Sequence, residues 1–328
     1  MKLDAFYRKA IEIGIQNDLR GGREIKRLLK REKDAFRKID KKEKAWFDMD
    51  RLFNPFADSR ILHGDPDKEI HTVIVGIDME VGEILLAHEL NKARRKKIDL
   101  IVAHHPEGRA LARLSDVMRL QSDLLAQHGV SIAVAEQLMS ERISEVARGV
   151  MPANHNRAVD AARALGFPMI CLHTPADNCV TRFLTQLFKE KSPGTLKDLT
   201  DLLLTIPEYQ KAARLQTLPR IVSGAPENTC GKIYVDMTGG TGGSRDIFDN
   251  LAHAGVSTIV GMHIGEKHLE NAKKAKLNVV IAGHISSDTL GLNLLFDNIE
   301  KSAPLDFIGI SGFERFSRET TSGPKAGL

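Results

Sequence analysis

An α/β fold in two lobes is what this sequence predicts. Short apolar, β-branched runs alternate with helical stretches through most of the chain. The alternation stops at a helical connection near the middle and then resumes. No apolar run approaches the roughly 18 residues needed to span a bilayer. At roughly 150 residues per domain, 328 residues fit two units. With 42% hydrophobic and 27% charged residues, the composition excludes a disordered chain, a collagen-like repeat and a long coiled coil. The net charge of +4 is too small to argue for nucleic acid. Cys171, Cys179 and Cys230 are odd in number and not at zinc-finger spacing, so reduced thiols in a cytoplasmic protein are expected. No signal-peptide apolar region precedes residue 20.

The elements follow in order. Residues 1–60 read as a basic helical extension. Between Leu19 and Arg51, Lys and Arg are interleaved with acids, and Ile25, Leu28, Leu29, Phe36, Ile39, Trp46 and Phe47 recur near helical spacing. A solvated helix face is the plain reading, and weak contact with nucleic acid or protein is the alternative. After Asn54-Pro55 and Asp65-Pro66 comes a first lobe, 61–190. Its predicted strands are HTVIVGID from His71, LIVAHH from Leu100, VSIAVA from Val130 and MICLHT from Met169. Helices are expected at Glu83–Lys97, Leu111–Gln127, Ser140–Leu165 and Asp177–Lys189. Ser192-Pro193-Gly194 opens a helical connection, 191–218. A second lobe, 219–328, carries the strands KIYVDM, STIVG, LNVVIAG and DFIGI, with helices after Gly243, Glu266 and Ser287. No repeat of fixed period is detected.

Chemistry concentrates where predicted strands end, which in parallel α/β sheets is where ligands bind. Ala103-His104-His105-Pro106, His173-Thr174-Pro175-Ala176-Asp177 and Gly283-His284-Ile285-Ser286-Ser287-Asp288 all have this placement. His284 and Asp288, four apart, share a face if a helix begins there. This mixed nitrogen and oxygen set suits Zn, Mn, Fe, Ni or Co and has enough ligands for two ions. The alternatives are a helix cap at Asp177 and a buried, hydrogen-bonded imidazole at His284. Gly239-Gly240-Thr241-Gly242-Gly243-Ser244-Arg245 precedes a predicted helix. Gly240, Gly242, Gly243 and Arg245 could cradle a phosphate there, or the segment could be a turn needing positive φ. Glu266 reads as a general base or as a first-turn helix carboxylate.

In order, Ile74 to Asp78, Asp99 to Pro106, His173 to Asp177, Gly239 to Gly243 and Gly283 to Asp288 resemble the Nif-three-like proteins, often described as type 2 GTP cyclohydrolase I. The match runs from about Ile61 to Phe313. The resemblance implies a dinuclear divalent-metal site built from His104, His105, Asp177, His284 and Asp288, lying between two α/β lobes. It places His173 and Glu266 beside that site, as candidates for moving protons, and implies a homo-oligomer, commonly a toroidal hexamer. The expected function is a metal-dependent hydrolase of a nucleotide or another phosphorylated or heterocyclic small molecule. The alternative is a non-catalytic metal-binding scaffold or a regulatory protein that binds nucleic acid or protein. Three departures stand out. Asp288 replaces the family's usual Glu and is one methylene shorter, so it should reach only one ion unless the backbone comes closer. Glu107-Gly108-Arg109 makes the pocket mouth more polar than in relatives. Residues 1–60 have no counterpart in short members and should be dispensable for metal binding.

Overall fold

The computed structural model describes residues 1–318. Its apolar runs form two mixed sheets. In the first, β1 (Arg60–His63), β2 (Thr72–Gly76), β3 (Leu100–Ala103) and β4 (Met169–Cys171) are joined by β9 (Asp306–Gly309), in the order β1-β4-β3-β2-β9. The second holds β5 (Arg220–Ser223), β6 (Lys232–Asp236), β7 (Val256–Gly261) and β8 (Asn278–Ile281), in the order β5-β8-β7-β6. Only β1 and β5, at the edges, run antiparallel to their neighbours. The central strands β2 and β3 are buried along their whole length, as continuous Val/Ile runs require.

Two long helices lie between the sheets. α10 (Thr174–Lys191) follows β4, and α15 (His284–Glu300) follows β8. They are buried on more than one face because each serves both cores. Ala176, Cys179, Leu292 and Leu295 pack with the first sheet's core, and Val180, Leu184 and Leu290 with the second. Gly291 lets them approach closely, since a Cβ there would stand 2.5 Å from the Ala176 carbonyl oxygen.

Several expectations are corrected. Residues 1–60 are not one extension. α1 (Leu3–Asn17) buries Leu3, Phe6, Tyr7, Ala10 and Ile11 in the first core, and a Cβ at Gly14 would meet Pro175 at 2.8 Å. Only α2 (Gly22–Lys38) and α3 (Lys41–Trp46) match the charged surface helices foreseen, with Ile25 their one buried side chain. DFIGI forms β9 and belongs to the first sheet, so the second lobe does not run on to the end of the chain. Residues 319–328 lie outside the described residues. VSIAVA is no strand: α8 (Ile132–Val150) begins there, because Ala135, Met139 and Val146 recur at helical spacing and are buried on one face. The single helix expected from Leu111 breaks into α5 (Gly108–Ala112), α6 (Leu114–Val117) and α7 (Arg119–Gln127). The turn before α8 and the break between it and α9 (Arg157–Ala164) leave these five helices as an insertion between β3 and β4.

That insertion hides an internal repeat. Residues 60–77 (RILHGDPDKEIHTVIVGI) and 220–237 (RIVSGAPENTCGKIYVDM) align without gaps, sharing Arg, Ile, Gly, Pro and Val. Gly64 and Gly224 both take positive φ at the same turn, 126° and 98°. The cognate bridges Lys2–Glu69 and Thr195–Thr229 tie a helix start to each unit, α1 in one and α11 (Leu196–Leu203) in the other. Only one helix, α14 (Glu266–Lys274), separates β7 from β8, against five between β3 and β4. The period therefore changes along the chain.

Candidate metal centre

The carboxyl ends of β3, β4 and β8 meet around six side chains. His104 and His105 extend β3, with backbone N–H groups donating to Gly76 O (3.0 Å) and Ile77 O (2.9 Å). His173 ends β4, and Pro175 opens the first turn of α10, where a missing N–H costs nothing. Asp177 lies one turn on. Gly283, at φ 113°, turns the chain so that His284 starts α15 and Asp288 follows one turn later.

The donor atoms converge. His104 Nε2 stands 3.4 Å from both Asp177 Oδ1 and Asp288 Oδ1. His105 Nε2 stands 3.4 Å from both Asp288 Oδ2 and His284 Nε2, and His284 Nε2 lies 3.5 Å from Asp288 Oδ2. His173 Nε2 approaches Asp177 Oδ2 at 3.8 Å. Tetrahedral bonds of about 2.0–2.2 Å put ligand atoms about 3.3–3.6 Å apart, so these separations suit a cation. Asp288 meets three imidazoles despite its shorter side chain. The turn at Gly283 and the close crossing at Gly291 seat α15 near the cluster.

The ring nitrogens facing away fix the tautomers. His104 Nδ1–H donates to Leu172 O (3.1 Å), His105 Nδ1–H to Asp78 Oδ1 (2.6 Å) and His173 Nδ1–H to Asp58 Oδ2 (2.9 Å). In neutral His104 and His105 the Nε2 keeps its lone pair for the cluster. His104 Nε2, Asp177 Oδ1 and both carboxylate oxygens of Asp288 are buried without a hydrogen-bond partner. Four such atoms within one cluster are costly in isolation, and a divalent cation would satisfy them all. Buried His104 and Asp288 with half-buried His105 form one set able to hold a metal, and buried His104, His173 and Asp177 another. The donor set therefore fits a metal.

Electrostatics within the cluster are uneven. Burial lowers the His104 pKa to about 4 and raises that of Asp177 to about 8. Burial also acts downward on His173, but the Asp177 and Asp58 carboxylates prevail and raise it to about 9. For Asp288 burial acts upward, and the surrounding imidazoles outweigh it, holding the carboxyl well below the usual range.

A cavity of about 70 Å³ opens on the cluster, lined by His173, Asp177, His284 and Asp288 on one side and by Asp236, Gly240, Thr241 and Gly242 on the other. Of the glycine segment, Gly240 and Gly242 thus reach the site, and Gly243 lines the adjoining cavity. The expected phosphate cradle at a helix start is not formed. α13 (Phe248–His253) begins five residues after Gly243 and has only six residues, and the loop is braced by donation from Gln121 and Arg142 to its carbonyls. Arg245 is exposed and faces a different cavity. Glu266 is also exposed in the first turn of α14, so it is the dipole-favoured carboxylate rather than part of the cluster. Arg109 turns away to Ile61 O and Asp50, and neither it nor Glu107 lines the cavity. Asp58, Asp78, Asp236 and His263 were missed as site residues. Asp78 closes the predicted strand HTVIVGID and His263 follows STIVG, so both carried a signal, whereas nothing local marks Asp58.

No family model and no curated protein matches this chain. Solved structures do. A NIF3 superfamily protein from Sphaerobacter thermophilus superposes with TM-score 0.68 and 26% identity, covering 78% of this chain and 92% of that one. Reduced HcgD from Methanocaldococcus jannaschii gives 0.49 and 16%, covering 77% and 92%. A Bacillus cereus protein related to NIF3 gives 0.39 and 10%, covering 81% and 92%. The two-sheet architecture with a buried histidine and aspartate cluster between its lobes has the NIF3-like fold.

Proposed function

We propose that this cluster holds two divalent ions and that the protein is a metal-dependent hydrolase of a small phosphorylated or heterocyclic molecule. The observation that carries this reading is the convergence of four buried, unpartnered ligand atoms from both lobes beside an open cavity. His104, Asp177 and Asp288 would hold one ion, and His105, His284 and Asp288 the other. Zn, Mn, Fe, Ni or Co fits such donors. Bound ions supply Lewis acidity and ease the deprotonation of water.

The chain's own residues do the rest. Asp78 fixes the ring of His105, and Leu172 O fixes that of His104. His173, held by Asp58, keeps a proton at the cavity wall, where it can pass one to a leaving group. Burial of His104, Asp177 and Asp288 keeps bulk water off the ligand atoms.

Elemental analysis of the purified full chain, combined with hydrolysis assays on nucleotides, tests this. Up to two ions per chain are expected, with turnover lost on chelation and restored by the ion. A folded chain that binds no divalent ion, or turnover indifferent to chelator, overturns it.

A further inference from the structure

The positive charge of this chain is concentrated in one place. Residues 22–46 hold eleven Lys and Arg against five Asp and Glu, a net +6, while the whole chain carries +4. On α2, Arg23, Lys26, Lys30, Lys33 and Arg37 recur at alternating steps of three and four, so they share one face. At 1.5 Å per residue that stripe is about 21 Å long. All five side chains are exposed.

Most of this charge is not neutralised. Elsewhere, exposed helix cations sit on an acid one turn away, as in Arg8–Asp4, Lys92–Glu89, Arg163–Asp160, Lys197–Asp201 and Lys267–Glu270. Within α2 only Arg27 and Arg37 are so paired, with Glu24 and Asp34. Among the described residues, Arg23, Lys26, Lys30 and Lys33 have no ion pair or hydrogen bond, and neither do Lys41 and Lys42 on α3.

The opposite face of α2 is already in use. Ile25 is buried, Leu28 and Leu29 are half-buried, and Glu32 pairs with Arg51 at 2.7 Å. Near its end the Phe36 ring meets Phe47 at 4.8 Å between centroids, and the Arg51 guanidinium covers Phe47. The helix is therefore a fixed platform with no apolar face left to enter a bilayer.

Trp46 ends α3, is the chain's one tryptophan, and is 82% exposed. So large an apolar group left in water is informative. Free cations in a row with an open indole on the next helix match what single-stranded nucleic acid requires. Its phosphates follow a basic track, and its bases stack on aromatic rings. A duplex keeps its bases stacked on one another and has none to give.

We propose that α2 and α3 form a binding surface for single-stranded nucleic acid, with phosphates on Arg23, Lys26, Lys30 and Lys33 and a base stacked on Trp46. None of these residues belongs to the metal cluster, so the assignment is independent of the hydrolytic reading.

The test is titration of the full chain with an oligothymidylate of about twelve nucleotides, within the usual site size of such surfaces. Binding should quench tryptophan fluorescence, a signal that only Trp46 can give. The logarithm of affinity should fall with the logarithm of salt at a slope of about −3, as four phosphate contacts to a single strand imply. Replacing both Lys26→Ala and Lys30→Ala should halve that slope. Trp46→Ala, followed by anisotropy of a labelled oligonucleotide, should weaken binding by about tenfold and leave the slope unchanged. These side chains are exposed, so both variants should fold, which circular dichroism checks. A duplex of the same length should leave Trp46 unquenched. Absence of binding, equal quenching by the duplex, or full affinity in Trp46→Ala overturns the proposal. So does tighter binding to anionic phospholipid vesicles with a blue shift of Trp46 emission, which would make this a membrane contact.

Discussion

In the first lobe β3 ends in His104-His105, whereas its counterpart β7 ends in Met262-His263. β2 leads to Gly76, Asp78 and Met79, and β6 leads to Asp236, Thr238 and Gly239. The fourth strands agree: each gives a histidine at a helix start and an aspartate one turn later, His173 and Asp177 against His284 and Asp288. The shared part is what the crossing of α10 and α15 brings face to face. The unshared part divides the work, with one lobe adding two imidazoles and the other a carboxylate, Asp236, on the cavity wall. A repeated scaffold thus sets the frame, and a few strand-end residues set the chemistry.

The comparison can be broken most severely at α1, which serves the first lobe as α11 serves the second. Deleting residues 1–17 should abolish cooperative thermal unfolding followed by circular dichroism, because Phe6, Tyr7 and Ile11 are fully buried. Phe6→Ala alone should cost about 3–5 kcal/mol in denaturant titration. A truncated chain that melts cooperatively would show α1 to be an appendage after all. Next is Asp288→Ala. Facing His104, His105 and His284, it should lower metal content more than Asp177→Ala does, measured at limiting free ion. Equal losses would mean that the lobes contribute symmetrically. Gly291→Val would put side-chain atoms on the Ala176 carbonyl and should destabilise the fold by about 1–3 kcal/mol. Loss of stability with full metal content would separate the crossing from the cluster. The smallest effect belongs to His263→Ala. His263 sits at the repeat position of His105 but outside both buried ligand groups, and metal content should be unchanged. A lost ion there would make the second lobe an equal supplier of imidazoles.

Much of the cluster was legible because its residues sit in short motifs that end strands. His104, His105, His173, Asp177, His284 and Asp288 were all named from HHP, HTPAD and GHISSD. Asp58 was not, because its meaning is a hydrogen bond to His173 across 115 residues, which no local pattern encodes. Glu266 misled for the opposite reason: a strand-end loop places a carboxylate near the site in sequence, and the helix dipole then holds it outside. Among the elements, β1 and β5 were missed because RILH and RIVS are four-residue edge strands with little apolar patterning. VSIAVA misled because β-branched residues suit a strand locally, while burial every three or four residues was settled by packing against the second lobe.

The return of β9 to the edge of β2 has a consequence for synthesis. The ribosome makes the first sheet's central strands early, but residues 306–309 complete that sheet only after the second lobe has been translated. At about 5–20 residues per second this interval lasts on the order of tens of seconds. Throughout it, the nascent chain exposes the edge of a strand that is fully buried in the finished fold, Thr72–Gly76, the kind of edge that invites wrong pairing. His284 and Asp288 also emerge late, so the cluster can assemble only after the chain has nearly left the ribosome, and a chaperone that shields β2 until then would raise the yield of protein with a complete cluster.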